Sequence, residues 1–270
     1  VDMGVKKKGR LVDGNEPNPM PYEHGIATYA LGEATTFCKQ LGQNIPRLEE
    51  VTQQAGQFII DNQHTKTGGW EYGYSEDKPR GGDLSVTGWQ IQALKACKHT
   101  GLDFRGLNSC IKKALDYVEE CQVSGGGFSY VHSKPTTHAK NGYYSLTGAG
   151  MLCLQMWDKE NSAAVRQGAA YITKNSKFEY NGPDCDLYAH YYEAQAMINR
   201  GGPDWKKYND MFRDQLLNNQ ANDGSWKKPG GGKPVNGPAS IYLTNTHYRT
   251  CLAILMLETY YRFLPGTGGK

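Results

Sequence analysis

Gln220-Ala221-Asn222-Asp223-Gly224-Ser225-Trp226 is the stretch that decides the fold, because it recurs. Gln122-Val123-Ser124-Gly125-Gly126-Gly127-Phe128 repeats the pattern Gln-x-x-x-Gly-x-aromatic with Phe in place of Trp. Gln63 to Trp70 repeats it with one residue inserted, and a degenerate copy lies at Asn175 to Tyr180. An amphipathic stretch precedes each copy: Leu48, Val51, Ala55, Phe58 and Ile59; Ile111, Leu115 and Val118; Ala164, Val165, Ala169 and Ile172; Trp205, Tyr208, Phe212 and Leu216. Spacings of three and four put each set on one helix face. The Gln ends the helix, the Gly turns the chain, and the aromatic ring plugs back onto the helical layer.

Between these stretches lies a second kind of helix, apolar nearly all round. It covers His24 to Leu31, Val86 to Leu94, Leu146 to Leu154, Tyr188 to Met197 and His247 to Leu255. A helix without a polar face is enclosed by protein. A pair made of one enclosed and one amphipathic helix does not bury itself alone, so successive pairs must stack. Strand-like alternation of useful length is missing from the sequence. The expected fold is therefore all-α, with an inner layer of apolar helices and an outer layer of amphipathic ones.

Composition narrows the function classes. The chain has 270 residues, 38% of them hydrophobic, and no apolar run approaches the ~18–20 residues of a membrane span. A net charge of +3 with 21% charged residues excludes a strongly basic nucleic-acid binder and an acidic tail; Lys6-Lys7-Lys8 reads as a solvated surface. The 33 glycines and 18 tyrosines are in excess, which the repeat turns and an aromatic inner layer explain. The seven cysteines are odd in number and form no Cys-x-x-Cys; Cys97, Cys153 and Cys251 fall in apolar helical stretches as small hydrophobes. A disulfide framework is not expected, and the thiols favour a reducing interior. No signal peptide is visible, the chain starts at Val1, and localisation stays open.

The Gln-x-x-x-Gly-x-Trp copies resemble the QW repeats of squalene-hopene and related triterpene cyclases. The alternating helices are similar to the α/α toroid that those cyclases share with protein prenyltransferase β subunits. Pro19 to Thr28, Gly82 to Gln90, Arg213-Asp214 and Glu258 to Pro265 resemble recurring segments of bacterial, notably planctomycete, squalene-cyclase-like proteins. The resemblance implies an α/α toroid, which is complete in that family with six helical hairpins. Here four hairpins and a final inner helix are expected. Gly9-Arg10-Leu11 stands before the first inner helix as Gly224-Ser225-Trp226 stands before the last. Residues 1–22 accordingly read as a loop from an upstream repeat. The chain is then part of a longer array or an open toroid, its flank covered by upstream repeats or a second copy.

Aligning the inner helices on their Ala-Leu-like pairs brings His24, Thr87, Thr147, His190 and His247 to equivalent positions, with Asp83 and Asp186 four residues before Thr87 and His190. In a toroid these positions ring one mouth of the cavity, where acid, base or metal chemistry would sit. Trp89, Tyr143, Tyr144, Tyr188, Tyr191, Tyr192, Tyr242 and Tyr248 are candidates for an aromatic lining, which binds an apolar chain or stabilises a cation. A plainer account stands beside this: Asp83 and Asp186 are good N-caps, and histidines at helix starts serve as hydrogen-bonded structure.

The resemblance also implies motifs that are testable residue by residue. The cyclase acid is Asp-x-Asp-Asp; the nearest match, Asp184-Cys185-Asp186-Leu187, lacks the last Asp. Prenyltransferases hold zinc with Asp-x-Cys and a later His. Asp186-Leu187-Tyr188 has Tyr in place of that Cys, His247 stands at the later position, and His190 offers a third ligand. Asp186, His190 and His247 are thus the zinc set to test. The phosphate-binding loop, the Gly-x-Ser-x-Gly elbow and the Gly-Cys-Gly-Glu-Gln thioester sequence do not occur. Two main readings follow: a binding or scaffold module whose catalytic motifs are not intact, or an enzyme acting on an isoprenoid or other apolar chain. A carbohydrate-processing α/α barrel is a third, with Asp83 and Asp186 as its carboxylate pair.

Overall fold

The structure is a computed structural model that describes residues 1–12, 20–74, 81–132, 143–232, 235 and 244–262. The described residues form ten helices and no strand, which makes the fold all-α. The chain divides into two compact units, Val1–Cys121 with Tyr130–Ser133, and Gln122–Ser129 with Lys134–Lys270.

The first unit holds α1 (Asp2–Lys6), α2 (Met20–Gln40), α3 (Leu48–Asp61), α4 (Leu84–His99) and α5 (Leu107–Glu120). The second holds α6 (Thr147–Gln155), α7 (Ala163–Asn175), α8 (Leu187–Arg200), α9 (Gly202–Leu217) and α10 (Thr246–Arg262). The helix pairs α2–α3, α4–α5, α6–α7 and α8–α9, followed by α10, are the four hairpins and final helix that the repeat pattern predicts. In place of the loop expected over residues 1–22, Asp2–Lys6 is helical, with Gly4 buried against Val51 of α3.

Burial separates the helix types as their sequences demand. Amphipathic α3 buries Val51, Ala55 and Ile59, and α5 buries Ile111, Ala114, Leu115 and Val118, while their other faces are solvated. Helices α4, α6 and α8 are buried almost all round. The flanking helices α2 and α10 depart from that expectation. Helix α2 buries Pro21, His24, Gly25, Thr28, Gly32 and Thr35 but exposes Ile26 and Phe37. Helix α10 buries Leu252, Ala253 and Met256 but exposes Ile254 and Tyr261. Among the described helices α10 packs mainly on α8. Small residues allow the inner helices to approach closely. A Cβ on Gly25 would lie 2.7 Å from Gln90 Nε2, and one on Gly32 would lie 2.8 Å from Ala96 Cβ of α4.

The repeat turns have one construction. Gln63 Nε2 donates to Gly68 O (2.7 Å) within its own turn and to Cys110 O (2.8 Å) in the next outer helix, α5. Gln122 Nε2 does the same to Gly126 O (3.1 Å) and to Ala164 O (2.9 Å) of α7. Gln220 Nε2 donates to Gly224 O at 3.0 Å. Gly68 is needed twice over: its φ is +80°, and a Cβ would lie 2.5 Å from Lys113 O of α5. The Trp70 indole N–H donates to Ile59 O (2.9 Å) and that of Trp226 to Leu216 O (2.7 Å), so each plug is pinned to the helix before it. Gly9, with φ +86°, abuts Gln54 of α3 as Gly68 abuts Lys113 of α5, giving Gly9–Leu11 the geometry of a repeat turn.

Candidate functional site

The polar groups at the starts of the inner helices point back to the repeat turns. Thr87 Oγ1 accepts from Trp70 N (3.0 Å) and donates to Trp70 O (3.2 Å). Thr147 Oγ1 accepts from Phe128 N (3.2 Å) and donates to Tyr144 O (2.6 Å). His24 does the same work with a ring: Nδ1 accepts from Leu11 N (3.2 Å) and Nε2 donates to Ala55 O (3.1 Å). Burial is the main reason that its pKa falls to about 4, with the nearby Arg10 adding to the effect; at neutral pH His24 is an uncharged structural bracket.

At the last inner helix this position belongs to Thr250, which accepts from Trp226 N at 3.4 Å, and Arg249 Nε donates to Trp226 O at 2.9 Å. The alignment that selected His247 is therefore one helical turn early. His247 is exposed and touches Cys251 instead. A slip of one turn leaves apolar periodicity almost unchanged, so the pattern alone does not detect it.

The remaining position leads to a buried polar cluster in the second unit. Asp186, His190 and Glu193 follow at i, i+4 and i+7, which places them on one face of α8. Asp186 caps that helix, accepting from Tyr188 N and Ala189 N at 3.2 Å each. Burial pushes its carboxyl up to about 6, helped by the charge of Glu193 and opposed by those N–H bonds and by His190. His190 Nε2 donates to Lys177 O (2.9 Å), and Nδ1 meets Tyr208 Oη of α9 at 2.8 Å. Its ring lies edge-on to Phe178 of the degenerate repeat copy, with centroids 4.7 Å apart.

Glu193, which sequence inspection passed over, is the centre of the cluster. It is wholly buried, accepts from Ser176 Oγ at 2.7 Å and from Tyr143 Oη, and has His190 Nδ1 at 3.4 Å. Burial alone would raise its pKa; the bonds and charge of His190 and the two hydroxyls outweigh that and hold it below the ordinary carboxylate value. A sequence signal for it exists: an acidic residue midway along a helix that otherwise lacks a polar face, three residues after a histidine.

The expected aromatic lining splits. Tyr143 is a Glu193 partner, and Tyr144 packs edge-on to Tyr171 with centroids 6.0 Å apart. Tyr191 and Tyr192 are buried, with centroids 4.8 Å apart, and Tyr188 meets Tyr192 edge-on at 5.2 Å. Burial pushes the Tyr248 hydroxyl up to about 12, with Tyr191 and Asp186 adding to the effect, so Tyr248 belongs to this group. Trp89 is half-buried on α4 of the first unit, and Tyr242 lies outside the described residues. Asp83, also of the first unit, caps α4 by accepting from Ser85 N at 2.9 Å and from the Ser85 hydroxyl.

The zinc set is not assembled. Among the described residues no three His, Cys, Asp or Glu side chains gather to hold a metal ion. His190 spends Nε2–H on a carbonyl and engages Nδ1 with Tyr208, and Asp186 serves as a cap. In the first unit a cavity of about 70 Å³ is lined by Asp61, Asn62, His64, Trp70, Glu71 and Tyr74. It has room for about two waters.

The raised carboxyl of Asp186 makes a signed prediction. A folded-state pKa above the unfolded value destabilises the fold at pH above about 6, and the cost fades as pH falls toward the ordinary aspartate range. Asn also caps helices well. Asp186→Asn is expected to stabilise the protein by about 1–3 kcal/mol at pH 7.5, with little effect near pH 4. Denaturant unfolding at the two pH values checks this, and a loss of stability at pH 7.5 would show that the carboxylate is net favourable there. Neither a scan of protein-family models nor a search of curated proteins returns a match to the chain.

Proposed function

We propose that the chain is a squalene cyclase- or prenyltransferase-like toroid domain that works as a binding or scaffold module for an apolar molecule, without intact catalytic motifs. One observation carries this reading. Apart from the exposed His247, the groups that the ring alignment and the resemblance would assign to chemistry are spent on holding the repeats together: both nitrogens of His24 and His190, the hydroxyls of Thr87 and Thr147, and the capping carboxylates Asp83 and Asp186. A base or ligand whose lone pairs face backbone groups does not reach a substrate. The half-buried Tyr188 and Tyr248, backed by the buried Tyr191 and Tyr192, supply the aromatic surface on which a prenyl chain would lie.

The competing reading, an enzyme acting on an isoprenoid, is favoured by a single feature. Asp186 is a desolvated carboxyl near Tyr191 and Tyr248, raised toward neutrality as a general acid needs to be. The test is to mix the protein with geranylgeranyl diphosphate and, separately, with squalene. Binding is followed by tyrosine and tryptophan fluorescence, and products by mass spectrometry. The expected result is saturable binding with the ligand recovered unchanged. A product whose formation is abolished by Asp186→Asn would overturn the module reading in favour of the enzyme.

A further inference from the structure

We propose that Cys251 is a site of covalent thiol modification, with His247 as its proton acceptor and a low-molecular-weight disulfide as its reaction partner. Cys251 Sγ lies 3.8 Å from His247 Nε2, within hydrogen-bond reach for sulfur. The two residues are one turn apart on the face of α10 that also carries the exposed Ile254 and Tyr261; His247 is exposed and Cys251 half-buried. Such a pair has the essentials of an activated nucleophile: a thiol, an adjacent base and an open approach.

The other cysteines set the contrast. None of the seven is in a disulfide. Cys97, Cys110, Cys121, Cys153 and Cys185 are buried. Burial pushes the thiols of Cys97, Cys110 and Cys153 up to about 12, and that of Cys185 up as well, so these four stay protonated, and Cys121 is shielded by burial. Cys38 on α2 is half-buried like Cys251, but among the described residues no histidine hydrogen-bonds its sulfur. Cys38 and Cys251 fall in the same half-buried class, and the imidazole beside Cys251 is the difference between them.

The step balances. The Cys251 S–H proton passes to His247 Nε2, and the thiolate attacks one sulfur of the disulfide. A new S–S bond forms to Cys251 as the old one breaks. The departing half leaves as a thiolate and takes up the proton from His247. Cys251 is oxidised to the mixed-disulfide level, and the departing half is reduced to a thiol.

The test incubates the full chain with oxidised glutathione at pH 7.4 and maps modified cysteines by peptide mass spectrometry over time. Cys251 is expected to react about tenfold faster than Cys38, and His247→Gln to bring it down to about the Cys38 rate while leaving Cys38 unchanged. Equal rates at Cys38 and Cys251 in the unaltered protein would overturn the proposal, whatever the variant does. So would an undiminished Cys251 rate in His247→Gln, or modification of Cys251 only together with the five buried thiols.

Discussion

Glu193→Ala is expected to cost the second unit about 3–5 kcal/mol, the range for removing one partner from a buried, hydrogen-bonded charged group. Glu193 is wholly buried, and three elements converge on it: Tyr143 from the segment before α6, Ser176 at the end of α7, and His190 on α8 itself. Truncation leaves the Tyr143 and Ser176 hydroxyls without that acceptor in a buried place, and each such group costs about 1–3 kcal/mol, while the His190 ring keeps Tyr208 and Lys177 O but loses the neighbouring carboxylate. Glu193→Gln keeps the volume and one acceptor oxygen, so a smaller loss of about 1–3 kcal/mol is expected. The acid limb should change as well. The folded-state pKa of Glu193 is depressed, so its contribution is complete above the ordinary carboxylate range and is lost as pH falls through the lower folded value. Asp186 titrates with the opposite sign and at higher pH. Removing Glu193 also removes a charge that raises Asp186, so the Asp186 transition should move to lower pH. Guanidinium unfolding monitored by circular dichroism from about pH 2 to 8 reads both effects. A loss below about 1 kcal/mol in Glu193→Ala would mean that the cluster does not act as one network.

Much of the fold was legible because it is written in local repeats. The Gln, Gly and aromatic positions each have a bond or contact that needs that residue type, so the pattern survives from turn to turn. Gln63 and Gln122 each tie a turn to the following outer helix, and Trp70 and Trp226 each return to the helix before. Helix type was legible for α4, α6 and α8 because enclosure on all sides leaves no room for polar residues. It was overstated for α2 and α10, whose composition matches the enclosed helices while they expose Ile26 and Phe37, and Ile254 and Tyr261; sequence records what a surface is made of and not what lies against it. The site was less legible. Glu193 depends on Tyr143, fifty residues earlier, and on Ser176 and Tyr208, which no spacing rule connects to it. The register at α10 failed for a different reason. His247 and Thr250 are one turn apart, and the bonds of the Trp226 backbone to Thr250 and Arg249 distinguish them.

The largest stability effect in the first unit is expected at Trp70. Trp70→Ala should cost about 3–5 kcal/mol, as for other fully buried aromatic residues cut to Ala. The side chain is 1% exposed, and its indole N–H is bonded to Ile59 O at 2.9 Å. Its backbone is held on the other side by α4: the amide donates to Thr87 Oγ1 at 3.0 Å, and the carbonyl accepts from Asp83 N at 2.9 Å. Truncation thus opens a void beneath α3 and leaves the Ile59 carbonyl with only the Asn62 amide at 3.3 Å, while the backbone tether remains, so collapse into the void is hindered. The second repeat copy supplies the control. Phe128 fills the same position without an N–H and is likewise 1% exposed, showing that a phenyl ring suits this kind of pocket. Trp70→Phe should therefore cost only about 1–2 kcal/mol, the lost hydrogen bond and part of the ring volume. Hydrogen exchange adds a local readout, because protection in the last turn of α3, from Phe58 to Asp61, should fall in Trp70→Ala and hold in Trp70→Phe. Equal losses for the two variants would place the stabilisation in the indole N–H bond instead of the plug, and the repeat would then be held by its glutamines and turns more than by its aromatic ring.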